Sequence, residues 1–155
     1  MTQHEFRAVT VVLVDDEPDI RFLLRLAFER DRRFRLVGEG ANGAEAIWLA
    51  SQVRPDLLVL DRNMPVLGGV EALPDIRAVS PRTSVVLYTA ATDRQTAQAA
   101  VAAGALDVLA KMPPGPNMIE TVATLLANHW ANPEAEIHVA VGPVSAQAAR
   151  VWIAN

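Results

Sequence analysis

The run Asp56-Leu57-Leu58-Val59-Leu60-Asp61 constrains the fold more than any other part of the chain. Four apolar residues in a row, bounded by Pro55 and Pro65, read as a short strand buried on both faces. Strands of that kind belong to parallel sheets covered by helices on each side. Asp61 then stands at the C-terminal end of the strand, at the rim where open parallel α/β sheets bind ligands. An ionised carboxylate has no packing reason to be there, so it points to chemistry or to a bound cation.

The rest of the chain supplies the remaining layers. Val9–Val14, 36–38, Ser84–Thr89 and 106–110 read as four further strands. Between and after the strands come helical patterns at 19–30, 44–53, Gly69–Val79, 94–103 and 118–130. In the first, Ile20, Leu23, Leu24, Ala27 and Phe28 share a face. In the second, Ala46, Ala50 and Val53 define the inward side, and Trp48, ~200° around from Ala46, points outward. Pro74 falls inside the third, where a kink or a late start is expected. Gly104 closes the fourth. The stretch Arg30–Arg35 reads as a solvated helix end. Five strand–helix alternations with short loops imply an α/β domain with a doubly wound, five-stranded parallel sheet.

After Trp130 the pattern changes. Asn132-Pro133 breaks the last helix, Ile137, Val139 and Val141 alternate as in a strand, and Gly142-Pro143 makes a turn before a final helical pattern. The expected organisation is a domain over 8–130 and a C-terminal extension over 131–155. The extension is too short for a core of its own, so it is expected to pack on the domain, pair with another chain or lead into a longer protein.

Composition excludes several classes. The 155 residues are 51% apolar, which argues against disorder. A net charge of −4 without a basic cluster argues against direct nucleic-acid binding. With no cysteine there is no disulfide, thiolate metal site or thiol nucleophile. No apolar run approaches the ~18 residues of a membrane span, and no signal peptide is visible, so a cytoplasmic location is expected.

Asp15 and Asp16 follow the first strand, Asp61 the third and Lys111 the fifth, and Thr89 ends the fourth. In a doubly wound sheet these ends face the same way, so three carboxylates, a hydroxyl and an amine gather at one rim. Carboxylates this close repel one another and call for a divalent cation. Hard oxygen donors without His or Cys select Mg²⁺, with Mn²⁺ as a substitute. Beside such a cation, the Asp61 carboxylate is a nucleophile toward phosphorus.

Val14-Asp15-Asp16-Glu17-Pro18, Asp61-x-x-Met64-Pro65-x-x-x-Gly69, Thr89-Ala90 and Gly104-Ala105 followed by Lys111 together resemble the receiver domain of two-component response regulators. The resemblance covers roughly 8–130. It implies a flavodoxin-like sheet of order 2-1-3-4-5, with Asp61 as phosphoacceptor and Asp16 as a direct Mg²⁺ ligand. It further implies that Asp15 holds the metal through water and Asn63 offers its backbone carbonyl. Thr89 matches the switch hydroxyl and Lys111 the phosphate-binding lysine. The implied partner is a sensor histidine kinase or a phosphotransfer protein. No turnover is expected beyond self-phosphorylation from a phosphodonor and autodephosphorylation. Output would pass through the fourth helix, fifth strand and fifth helix, or through the tail, either of which is a possible homodimer contact.

Two positions depart from the family pattern. Val108 replaces the usual aromatic residue, and Met112 separates Lys111 from Pro113, where the family has Lys-Pro with a cis peptide. These departures support an alternative, a phosphorylation-independent interaction module on the same fold. A haloacid-dehalogenase phosphatase would want a second acid where Asn63 stands. A flavodoxin would want a phosphate-cradling loop in place of the acidic rim. Glu17 and Arg62 read as surface residues at that rim, and His4, His129 and His138 as scattered structural or solvated residues.

Overall fold

Residues whose side chains alternate between two apolar layers must lie in a sheet covered on both faces, and the computed structural model shows this arrangement for residues 7–90, 93–111 and 113–131. Strands β1 (Val9–Val14), β2 (Phe34–Gly40), β3 (Leu57–Leu60), β4 (Ser84–Thr89) and β5 (Asp107–Ala110) form one parallel sheet in the order β2-β1-β3-β4-β5. The order in which strands are added reverses at β1, which lies between β2 and β3, and this opens a crevice at the C-terminal strand ends.

Odd residues of β1 and β3 (Val11, Leu13, Leu57, Val59) face α1 (Pro18–Glu29) and α5 (Pro116–Ala131), where Leu24, Phe28, Met118, Val122 and Leu126 complete the layer. Even residues (Val12, Val14, Leu58, Leu60) face α2 (Gly43–Val53), α3 (Gly69–Val79) and α4 (Arg94–Ala102). Small residues such as Ala46, Ala50, Ala97 and Ala100 let those helices lie close to the sheet.

Local chemistry sets the helix starts. Pro18 opens α1, where its missing N–H costs nothing. The Asn42 side chain accepts from Glu45 N at 2.9 Å, and the Glu45 carboxylate accepts from Ala41 N at 2.5 Å, a reciprocal cap on α2. Asp93 caps α4 by accepting from Thr96 N at 2.7 Å. Pro74 sits inside α3, which continues through it to Val79. Gly104, at φ +113°, turns the chain out of α4 in the left-handed region that favours glycine.

Three sequence expectations need correction. Strand β2 begins at Phe34, two residues before the expected start, and Arg30–Arg35 is not a solvated helix end. Helix α1 stops at Glu29, and the Arg33 guanidinium folds back on the Asp31 carboxylate at 2.7 Å and reaches Glu120 on α5. Phe34 is buried, its ring edge-on to Phe28 at 5.1 Å. The alternating charges on either side hid this apolar anchor. On the helices, Val53 and Leu23 are exposed at 42% and 44%, so the inward stripes of α2 and α1 are narrower than expected. Trp48 does point outward and is 61% exposed.

The β1–β2 register slips between Val11 and Val12, so that Val37 is an extra residue in this edge strand. A bulge of this kind discourages edge-to-edge pairing. Among the described residues, no helix is long and apolar enough to cross a membrane. The expected strand, turn and helix after Asn132 lie outside the described residues.

Candidate functional site

Strand register builds the site. Val14 pairs with Leu60, and Leu60 with Leu87. One step further along each strand, Asp15 and Asp61 leave adjacent strands at the same level. Both ends stay tied into the sheet, because Asp61 N donates to Val14 O at 2.9 Å and Asp15 N to Gly40 O at 3.1 Å. Asp15, Asp16 and Asp61 offer carboxylate oxygens within 4.8 Å of one another, with Asp15 and Asp61 buried and Asp16 exposed.

The next chain segments are built for close approach. Asp15 Oδ1 accepts from Glu17 N at 2.9 Å, turning the chain into α1, and Arg21 Nη1 donates to the Asp15 carbonyl at 2.5 Å. Asp61 Oδ1 accepts from Arg62 N at 2.8 Å. Gly69 N closes the β3–α3 loop on Arg62 O at 2.8 Å. A Cβ on Gly69 would collide with the Asp61 carbonyl oxygen, a backbone atom with no freedom to move aside. The glycine therefore permits the turn that presents Asp61. In the same loop Val66 adopts φ +69°, an uncommon conformation for a β-branched residue.

Lys111 reaches the carboxylates from the far side. Its backbone N–H donates to Thr89 O at 2.8 Å, which fixes the base of the side chain. The ammonium lies 3.1 Å from Asp15 Oδ2, 3.5 Å from Asp61 Oδ2 and 3.9 Å from Glu17 Oε1. The contact to Asp15 is an ion pair without hydrogen-bond alignment, so the fully buried Oδ2 lacks a hydrogen bond.

Charge at the site is only partly balanced. Burial raises the Asp61 pKa, repulsion from Asp15 raises it further, and Lys111 with the Arg62 N–H pulls it back, leaving it at about 6. Burial lowers the Lys111 pKa, but the carboxylates of Asp15, Asp61 and Glu17 outweigh that and raise it. A buried carboxylate oxygen without a hydrogen bond, beside a second acid that resists ionising, is what a hard cation would relieve. The residues present therefore fit Mg²⁺.

The structure brings Asp15, Asp16, Asp61 and Lys111 together and buries Thr89 at the end of β4. Asn63 is exposed in the β3–α3 loop. Glu17, read from sequence as a rim residue, has its carboxylate within reach of Lys111 while remaining exposed. The Met112–Pro113 bond lies outside the described residues. Val108 is buried against the α2–α4 layer, opposite Leu87. Sequence reasoning missed Arg21 and Tyr88. Tyr88 is buried, and its ring centre is 5.9 Å from the Lys111 ammonium. A single arginine on a helix and a tyrosine in an apolar strand carry no signal until the strand register is known.

Comparison with known proteins agrees with this geometry. The family model of the response regulator receiver domain matches residues 11–123. A Pseudomonas aeruginosa protein described as a transcriptional regulator is 40% identical over 101 residues, 65% of this chain and 48% of that protein. CcdB of Bacillus subtilis is 31% identical over 118 residues, 76% of this chain and 98% of that protein. The response regulator domain of Thermotoga maritima CheB superposes with a TM-score of 0.70 at 27% identity, covering 77% of this chain and 97% of that one. The chain spans 48%, 29% and 46% of three curated relatives that it matches. Fold, motif order and family match agree: this chain belongs to the response regulator receiver domain family of two-component systems.

Proposed function

We propose that Asp61 accepts a phosphoryl group from the phosphohistidine of a sensor histidine kinase or phosphotransfer protein, and that the receiver then shifts between two conformational states. The observation that carries this reading is the placement of Lys111, which spans Asp15 and Asp61 at 3.1 and 3.5 Å across two buried carboxylates. An amine held there meets the equatorial oxygens of a phosphoryl group arriving at Asp61. A phosphorylation-independent module would have no use for so costly a buried acid pair.

Asp15, Asp16 and Asp61, with the Asn63 backbone carbonyl, would hold Mg²⁺. When bound, the cation neutralises charge on the phosphoryl oxygens and keeps Asp61 ionised at neutral pH. An Asp61 carboxylate oxygen attacks phosphorus, the P–N bond to the histidine breaks, and the imidazole nitrogen keeps that electron pair. Lys111 and the Thr89 hydroxyl donate to the phosphoryl oxygens. The product is an acyl phosphate on Asp61, which water later hydrolyses.

The phosphoryl group adds about 1.5–2 negative charges and three strong acceptors. Thr89 ends β4, so its movement toward those acceptors pulls on the segment leading to α4. We assign the output to α4, β5 and α5 or to the tail, the two surfaces through which a homodimer would form. Val108, flush with the α2–α4 layer, cannot make the inward swing of an aromatic side chain there.

Titration with Mg²⁺ and then beryllofluoride, followed by tryptophan fluorescence, tests the reading. A saturable change that requires both ions and is lost in Asp61→Asn is expected. The same change in Asp61→Asn would overturn the assignment.

A further inference from the structure

Tyr88 stands beside the phosphoacceptor by register. Leu60 pairs with Leu87, so the next residues, Asp61 and Tyr88, are level on adjacent strands. Tyr88 pairs in turn with Leu109, two residues before Lys111 on the same face of β5. Asp15, Asp61, Tyr88 and Lys111 therefore line one face of the rim, on the α1–α5 side of the sheet.

We propose that Tyr88 is a positioning residue for phosphoryl transfer, its ring confining the Lys111 ammonium over Asp15 and Asp61. The inference rests on the function proposed above and adds to it a residue outside the acid, hydroxyl and lysine set. The ring is 2% exposed, and its centre lies 5.9 Å from Lys111 Nζ, within cation–π range. Lysine has a flexible four-carbon stem, and here only its base is fixed, by the bond from Lys111 N to Thr89 O. The tip is drawn three ways, toward Asp15, Asp61 and the exposed Glu17. An aromatic face next to the two buried acids biases the ammonium toward them. The phenol itself responds to both charges: burial raises its pKa, with Lys111 opposing and Asp15 adding to the rise.

Packing alone would also place a large residue here, since Tyr88 lies among Val86, Leu109 and Met118. Function through Lys111 differs from packing in two readouts. Tyr88→Phe keeps the ring, and Tyr88→Leu keeps apolar bulk without it. With phosphoramidate as donor and saturating Mg²⁺, Tyr88→Phe should be phosphorylated within about twofold of the unsubstituted protein, and Tyr88→Leu about three- to tenfold more slowly, the range expected for a partly desolvated cation–π contact. The loss should vanish in a Lys111→Ala background, because two residues acting as a unit are not additive. A role in packing alone would lower thermal stability in both backgrounds and leave the rate ratio unchanged.

Full-rate phosphorylation of Tyr88→Leu would overturn the inference, as would equal losses in Tyr88→Phe and Tyr88→Leu or the same loss with and without Lys111. If the unsubstituted protein took no phosphoryl group, the proposed function would fall separately. The Lys111 methylene proton shifts would then decide the structural half of the inference. They should move in Tyr88→Leu and stay in place in Tyr88→Phe, and no movement in Tyr88→Leu would overturn it.

Discussion

The acid pair at the rim should make the metal-free protein less stable as pH rises toward neutrality, the reverse of the usual carboxylate contribution. Asp61 has a pKa of about 6 in the folded chain, raised first by burial and then by Asp15. In the unfolded chain it should titrate near 3.9. Between those values the folded state binds more protons than the unfolded state, so the slope of unfolding free energy against pH is negative. The contribution is fully present below about pH 3.9 and is lost as pH rises through 6. A shift of about two units corresponds to roughly 3 kcal/mol across that window, at about 1.4 kcal/mol per unit. The assay is urea unfolding in EDTA from pH 4.5 to 7.5, for the unsubstituted protein and for Asp61→Asn. Subtracting one series from the other removes titrations elsewhere, such as Asp31, whose pKa is lowered mainly by Arg33. The stability of the unsubstituted protein relative to Asp61→Asn should fall by about 2 kcal/mol between pH 4.5 and 7.5. Saturating Mg²⁺ should restore stability near pH 7, because it binds the folded, ionised site. Parallel stability curves for the two proteins would refute the account of charge at the site.

Further expectations follow from the loop that carries Asp61 and from the core. Gly69→Ala should destabilise by about 2 kcal/mol or more in urea unfolding and slow phosphorylation, because its Cβ meets the Asp61 carbonyl oxygen. Val66→Gly should stabilise by about 0.5–1 kcal/mol in the same assay, since φ +69° suits glycine and Val66 is 83% exposed, with little packing to lose. Phe28→Ala should cost about 3–4 kcal/mol in denaturation midpoint analysis, through loss of a fully buried ring stacked edge-on against Phe34.

Much of the fold was legible because period and punctuation agreed. The all-buried β3 between two prolines, the helix caps and the short loops left few alternatives to a parallel sheet with helices on both faces. The meeting of Asp15, Asp16, Asp61 and Lys111 followed from their shared position just after strand ends. The start of β2 was not legible, since Arg33 and Arg35 flank Phe34 and charge hid its burial; Arg33 is accommodated by ion pairs to Asp31 and Glu120, and Arg35 by exposure to solvent. Tyr88 was hidden for a different reason. A strand residue's neighbour across the sheet depends on register, and register between parallel strands joined by long crossovers is set by tertiary packing rather than by a local turn.

The central claim is that Asp61 takes the phosphoryl group. Intact-mass spectrometry after incubation with Mg²⁺ and phosphoramidate tests it directly, with peptide mapping to locate the modification. The account predicts one phosphoryl group on the peptide containing Asp61, labile to both acid and base and released by hydroxylamine, absent without Mg²⁺ and absent in Asp61→Asn. Undiminished incorporation in Asp61→Asn, or a phosphoryl group mapped to another residue, would contradict it.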